Sequence, residues 1–287
     1  MKKVLLIAFY FNQTNEIASK RLRGLAKYLP QFGWEPIVIV PKLDNIPSYP
    51  NNNLDFKVIE TEYEDMLDKW MNKFKKSPNN FENKIINVKN NEISNVKNNG
   101  KSNEKNTLIS KAISLAGEIF AYPDGMKYWY EPAMEVSKEA IEVNDIEAII
   151  SSSWPVTSHI IAKDLKKQYN INWIADLRDL WNLNPYVNHT FIRNHFEKKL
   201  EIETFKYADV LTTTTKLASE TLQKLHHNNK LCTVMRGYDI EDITENNITK
   251  NNIDANLIIV FFMKVFLNEI MNSKNNPANC RNNTNLR

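Results

Sequence analysis

Asp176, Arg178 and Asp179 fall within four positions of one another, and Trp181 closes the group. The residues before them are apolar: Ile171, Trp173, Ile174 and Ala175. Such a run suits a strand buried on both faces of a parallel sheet. In an open α/β sheet, ligands bind in the crevice outside the carboxyl ends of the strands. Two carboxylates, one guanidinium and a Trp at that place form a candidate site. A second reading stays open, in which Arg178 pairs with Asp176 or Asp179 and ties down a loop.

The pattern around this stretch predicts the elements that hold it. Residues 4–9 are apolar throughout and read as a first strand. A helix follows, capped at Thr14 or Asn15 and running to about Phe32, with Ile17, Leu22, Leu25, Ala26, Tyr28 and Leu29 on its buried face. Gly33 stops it, and 34–40 reads as a second strand. No glycine lies between Met1 and Gly24, so the phosphate fingerprint of a standard dinucleotide-binding unit is absent. A short strand is expected at 56–59. An amphipathic helix is expected over 63–76, where Met66, Leu67, Trp70, Met71 and Phe74 share a face flanked by lysines. Both core packing and a membrane-interface helix fit that pattern. Residues 77–106 are rich in Asn and Lys and read as a low-complexity insertion.

Helical spacing resumes over 108–120 and again over 133–143, where Pro132 can open the helix. From Asp145 the chain alternates regularly. Strands are expected at 146–150, 171–175, 209–213 and 231–235, and helices at 156–169, 191–207 and 216–226. The 191–207 helix is expected to carry Glu and Lys on its outer face. The alternation predicts an α/β fold, a Rossmann-like doubly wound parallel sheet covered on both faces. One domain is expected over 1–242, followed by an Asn-rich tail over 243–287.

The bulk properties are those of an ordinary globular chain of 287 residues, 42% hydrophobic and 25% charged. The formal charge of +3 is too weak, and the lysines too dispersed, for a nucleic-acid partner. Cys232 and Cys280 have neither metal nor disulfide spacing, which suits a reducing cytoplasm. The basic start and short apolar run lack a cleavage site and read as a strand, not a signal peptide. No stretch reaches the roughly 18 to 20 apolar residues of a membrane span.

Several pieces, taken in order, are similar to a known family. They are Arg21-Leu22-Arg23-Gly24-Leu25-Ala26-Lys27-Tyr28-Leu29 with Gly33-Trp34-Glu35-Pro36, then Tyr122-Pro123-Asp124 with Trp129 and Ala133. Next come Ile149-Ile150-Ser151-Ser152-Ser153-Trp154-Pro155 through His159 to Ala175-Asp176-Leu177-Arg178-Asp179-Leu180-Trp181. Last are Ala208-Asp209-Val210-Leu211-Thr212-Thr213 and Gly237-Tyr238-Asp239. The series resembles the N-terminal, acceptor half of a family 4 glycosyltransferase with the GT-B fold.

The resemblance implies two Rossmann-like domains facing a cleft and transfer of a sugar from a nucleotide-sugar donor, with retention, to a glycan or lipid-linked acceptor. It implies no metal and no cofactor besides the donor substrate, and a cytoplasmic enzyme, peripheral at the inner membrane face. By the same resemblance, Asn15 and Glu16 belong to the first acceptor loop, where relatives often carry paired glycines. Ser152, Ser153, Trp154, His159 and Asp176 would line the cleft, although a first-turn His such as His159 also suits a cap or core contact. Arg178 would stabilise phosphate charge, as a planar five-donor cation suits oxyanions. Asp179 would orient or help deprotonate the acceptor hydroxyl. Gly237, Tyr238 and Asp239 would lead into the interdomain linker. The C-terminal donor domain, with glutamates eight positions apart, is expected to be absent: after residue 250 the only Glu is Glu269, and Pro277 stands eight positions on. The chain alone is then expected to be inactive in transfer. A non-catalytic glycan-binding module working with a separately encoded donor half is the alternative. An unrelated nucleotide enzyme is a third reading, weakened by the missing glycine fingerprint.

Overall fold

The computed structural model describes residues 1–14, 17–43, 55–64, 122–187 and 189–235. The expected helices at 63–76 (beyond Glu64) and 108–120, the insertion at 77–106, the tail, and residues Asn15, Glu16, Gly237, Tyr238 and Asp239 lie outside the described residues. The chain divides into two compact units, one of 1–63 with 129–287 and one of 64–128. In the second, the described residues include a turn in which the Met126 amide donates to Asp124 Oδ1 (2.8 Å).

The first unit holds a seven-stranded sheet. Its elements are β1 (Lys2–Ile7), α1 (Ile17–Tyr28), β2 (Trp34–Pro41), β3 (Lys57–Thr61), α2 (Tyr130–Val143), β4 (Ile146–Ser152), α3 (Thr157–Tyr169), β5 (Asn172–Leu177), α4 (Phe191–Phe205), β6 (Val210–Thr213), α5 (Lys216–Gln223) and β7 (Lys230–Thr233). The strand order is β3-β2-β1-β4-β5-β6-β7, and every pairing is parallel. This is the Rossmann-like α/β arrangement that the strand–helix alternation predicts. The chain order reverses between β1 and β4, so the switch point lies beside β1 and β4.

Alternate strand residues build the two faces. Val4, Leu6, Val38, Val40, Ile150 and Ile174 pack with Leu22, Ala26 and Leu29 of the α1 side. On the opposite face the Trp173 ring meets His159 of α3 and Phe205 of α4, with centroids 6.5 and 6.2 Å away. Strands buried on both faces explain the unbroken apolar runs at 4–7 and 148–150.

Several expected boundaries shift for local reasons. The first helix ends at Tyr28 and tightens into a 3-10 turn over Leu29–Phe32, where Pro30 lacks an amide donor. Gly33 closes that turn at φ 83°, a left-handed conformation that costs glycine least. The helix expected from 133 begins at Tyr130, which puts Pro132 in its first turn. β4 and β5 run two residues further than expected, to Ser152 and Leu177. Asp176 is therefore a strand residue, and the loop begins at Arg178. α4 departs from expectation in which face is polar. Glu197 and Glu201 lie on its buried face, at 2% and 0% exposure, because each serves as an acceptor there.

Candidate functional site

Ser152, Asp176 and Thr212 stand in one row across β4, β5 and β6, in register with one another. All three are buried. Asp176 sits at the centre and accepts four hydrogen bonds. Ser152 Oγ donates to Oδ2 (3.1 Å) and Thr212 Oγ1 to Oδ1 (2.8 Å). The Arg21 fork, reaching from α1, donates Nε to Oδ2 (3.0 Å) and Nη2 to Oδ1 (2.8 Å). This is the bidentate geometry that suits guanidinium and carboxylate. Burial pushes the Asp176 carboxyl up. Arg21's charge and hydrogen bond, the Thr212 hydroxyl and the charge of Arg178 outweigh it and hold the pKa at about 2. Arg21 is raised in turn: burial lowers it, but Asp176 prevails.

Arg21 also reaches the chain beyond β7. Its Nη1 donates to the carbonyls of Val234 (3.3 Å) and Met235 (3.5 Å). One guanidinium thus joins α1, the end of β5 and the segment leaving β7. Asp176, expected to line the cleft, has its oxygens engaged by these in-chain donors. Sequence reasoning missed Arg21 as a site residue. A weak signal existed: the buried positions Ala18, Leu22 and Leu29 define a stripe in which residue 21 falls.

Arg178 differs from the ion-pair reading. Among the described residues it has no carboxylate within ion-pair distance. Its Nε donates to the Ser153 carbonyl and its Nη2 to the Trp154 carbonyl (3.4 Å). Burial lowers its pKa, and the like charge of Arg21 adds to this; Asp176 and Asp179 act in the opposite sense without reversing it. The half-buried cation is held by neutral carbonyls at the carboxyl edge of the sheet. Asp179 is exposed beside it, and its backbone carbonyl accepts from Ser153 Oγ (3.4 Å). The Ser153 amide donates to the Asp176 carbonyl (3.1 Å), which fastens the β4 loop to β5. Ser153 is buried and Trp154 half-buried in that loop, whose Ser153–Trp154 and Trp154–Pro155 bonds are both cis. Arg178, Asp179, Ser152, Ser153 and Trp154 thus come together at adjoining strand ends.

His159 does not join them. Its ring is 0% exposed on the other face, edge-on to Phe205 at 5.2 Å, with Nδ1 2.7 Å from Ser151 Oγ. Trp173 Nε1 donates to the same hydroxyl (2.8 Å). Burial drives the His159 pKa down to about 3, outweighing the attraction of Asp176, with Arg178 adding to the fall. The ring is a neutral core contact in this arrangement.

The loop after Arg178 is fastened to α4 by that helix's buried carboxylates. Trp181 Nε1 donates to Glu197 Oε2 (2.5 Å), and the Asn182 amide donates to Glu201 Oε2 (2.8 Å). Arg193 Nε donates to Glu197 Oε1 (3.1 Å), and His226 Nε2 lies 3.2 Å from Glu201 Oε1. The Trp181 and Asn182 contacts tie the loop that follows Arg178 and Asp179 to α4, and Arg193 and His226 hold the two carboxylates that receive them. Among the described residues no three His, Cys, Asp or Glu side chains gather as a metal-ligand set.

No family profile matches the chain, and no curated protein matches it in sequence. Solved structures do. Sucrose-phosphate synthase from Thermosynechococcus elongatus aligns with a TM-score of 0.52 at 12% identity, covering 84% of this chain and 49% of that one. The catalytic domain of starch synthase IV from Arabidopsis thaliana, bound to ADP and acarbose, gives 0.47 at 10% identity, covering 84% and 52%. A ugt transferase from Siraitia grosvenorii in complex with UDP gives 0.41 at 6%, covering 82% and 51%. At these identities the likeness is one of fold, carried by the first of the three. The chain spans about half the length of each.

Proposed function

We propose that the chain is the acceptor-binding half of a retaining glycosyltransferase of family 4, working with a donor half to move a sugar from a nucleotide-sugar to a glycan or lipid-linked acceptor. The observation that carries this is Arg178, a half-buried guanidinium at the carboxyl edge of β5 that meets only neutral carbonyls among the described residues. A cation so placed has donors left for an oxyanion, and its partial burial strengthens that interaction relative to bulk water. The ordered resemblance of the sequence pieces supports the reading. So does a fold shared with a sucrose-phosphate synthase of about twice this length.

On this reading Arg178 faces the departing diphosphate, and Asp179, exposed next to it, orients the acceptor hydroxyl or takes its proton. Ser152, Ser153 and Trp154 shape the acceptor wall, and by the sequence resemblance Asn15 and Glu16 belong to the first acceptor loop. Gly237, Tyr238 and Asp239 lead towards the donor half, on this chain's continuation or on a separate chain. No metal or cofactor is invoked, and the protein works in the cytoplasm at the membrane face. No helix among the described residues is long and apolar enough to cross a membrane.

The test is calorimetric titration of the purified chain with a panel of saccharides and lipid-linked saccharides, beside a transfer assay with nucleotide-sugars. Saccharide binding without turnover is expected. Robust turnover by the chain alone refutes the half-enzyme reading. A chain that binds the saccharides yet stays inactive when joined to a donor half is a binding module instead.

A further inference from the structure

Asp176 has no acceptor site left for a second arginine. A carboxylate offers about four lone-pair sites, two on each oxygen. Oδ1 takes Thr212 Oγ1 (2.8 Å) and Arg21 Nη2 (2.8 Å), and Oδ2 takes Ser152 Oγ (3.1 Å) and Arg21 Nε (3.0 Å). Arg178 follows Asp176 by two positions, and the charge of each is felt at the other. It is the nearer arginine in sequence, yet Arg21, 155 positions away, holds the carboxylate. Arg178 rests on the carbonyls of Ser153 and Trp154 instead.

That placement runs against the ordinary preference of a guanidinium. A charge-assisted hydrogen bond is about twice as strong as a neutral one. Beside an open carboxylate, Arg178 would leave the two carbonyls for it. Two features prevent this. The oxygens of Asp176 are filled, and the like charge of Arg21 opposes a second cation there. Arg21 and Asp176 also cancel in charge. The carboxyl edge of β5 is thus left with Arg178 as a cation that no ion pair matches among the described residues.

We propose that Arg21 is a positioning residue for Arg178: by occupying Asp176 it keeps Arg178 off that carboxylate and leaves the Arg178 guanidinium for a diphosphate. This deepens the transfer reading and rests on it for the identity of the anion. Where Arg178 goes when Arg21 is lost depends on this chain alone. Without Arg21, Oδ1 and Oδ2 each lose one donor. Arg178 then turns onto Asp176, and the edge of β5 loses its unmatched cation.

The experiment joins crystal structures of the full chain and of its Arg21→Met variant to calorimetric titration with inorganic pyrophosphate. In the variant, Arg178 should lie within ion-pair distance of Asp176, and pyrophosphate affinity should fall about tenfold or more. Adding Asp176→Asn to Arg21→Met removes the competing carboxylate and should return affinity to within about threefold of wild type. A merely structural role for Arg21 gives the opposite result, because the double variant still lacks the ties to Val234 and Met235. Adding Arg178→Ala to Arg21→Met should change affinity little, since that cation is already withdrawn. The proposal is overturned by Arg178 still resting on the Ser153 and Trp154 carbonyls in Arg21→Met. A double variant as weak as Arg21→Met overturns it too, as does an Arg178→Ala loss of equal size with and without Arg21. If wild type takes up no pyrophosphate, the oxyanion reading of Arg178 fails, and the two crystal structures decide whether Arg21 holds Arg178 off Asp176. Circular dichroism checks each fold. Should Arg21→Met not fold, Arg21→Gln, which keeps one donor for Asp176 without the charge, carries the same measurements.

Discussion

Replacing Asp176 with Asn keeps the size of the side chain and removes the charge that Arg21 faces. Two routes give the expected loss. Asp176 is held at about 2 against an ordinary 3.8. At about 1.4 kcal/mol per unit this gives roughly 2.5 kcal/mol of stability. Removing one member of a buried pair strands the other, at about 3–5 kcal/mol. Arg21 retains the Val234 and Met235 carbonyls, so the lower end, about 3 kcal/mol, is expected. Because the folded pKa is depressed, the contribution is complete above about pH 4 and fades as pH falls towards about 2. Urea unfolding at neutral pH should separate wild type and Asp176→Asn by about 3 kcal/mol, and the gap should narrow on acidification. Replacing Arg21 by Met together with Asp176 by Leu should destabilise less than Asp176→Asn, since neither charge is left buried. A gap under about 1 kcal/mol at neutral pH, or one indifferent to acid, refutes the assignment of this pair as the central fastening.

Other expectations follow from the same geometry. Glu201→Ala leaves the Asn182 amide and His226 without their acceptor and should cost about 2–3 kcal/mol; a melting temperature within error of wild type would contradict the tie between loop and helix. Proton NMR should find the His159 ring neutral and untitrated between about pH 5 and pH 8. Because its folded pKa, about 3, lies below the unfolded value, its contribution to stability is lost as pH falls from about 6.5 towards that figure; a midpoint near neutrality would place the ring elsewhere. In an enzyme rebuilt with a donor half, Arg178→Ala should lower turnover about a hundredfold or more. Arg178→Lys should restore part of it, and a loss matched by unfolding would return Arg178 to a merely structural role.

The layered α/β fold was legible because its signals are local. Apolar runs mark strands buried on both faces, and helical spacing marks the crossovers between them. The carboxyl edge of β5 was legible as a place for the same reason. What the charges do there was not. Asp176 reads as a loop residue beside Arg178, but the sheet claims it as a strand residue, and its partner is Arg21, 155 positions away. Nothing in the spacing chooses between two arginines; the approach of α1 to the sheet does. Glu197 and Glu201 misread as solvent-facing because a carboxylate is counted as polar wherever it falls. Their buried state depends on Trp181, Asn182 and His226 arriving from other segments. His159 stood beside the candidate loop in sequence, yet the adjoining residues Ser151 and Ser152 point to opposite faces, and it follows Ser151.

The place of β1 bears on how the chain is made. Its partner on one side, β2, emerges from the ribosome soon afterwards. Its partner on the other side is β4, and the Lys2–Glu147 pair beside that seam spans 145 positions. At about 5–20 residues per second, roughly 7–30 s pass before the second edge of β1 can be covered. Throughout that interval a nascent chain presents Val4, Leu5, Leu6 and Ile7 along an open strand edge, which invites pairing with other chains. Yield in a cell should therefore depend on holding chaperones and on translation speed between codons 7 and 152 more than on the stability of the finished sheet.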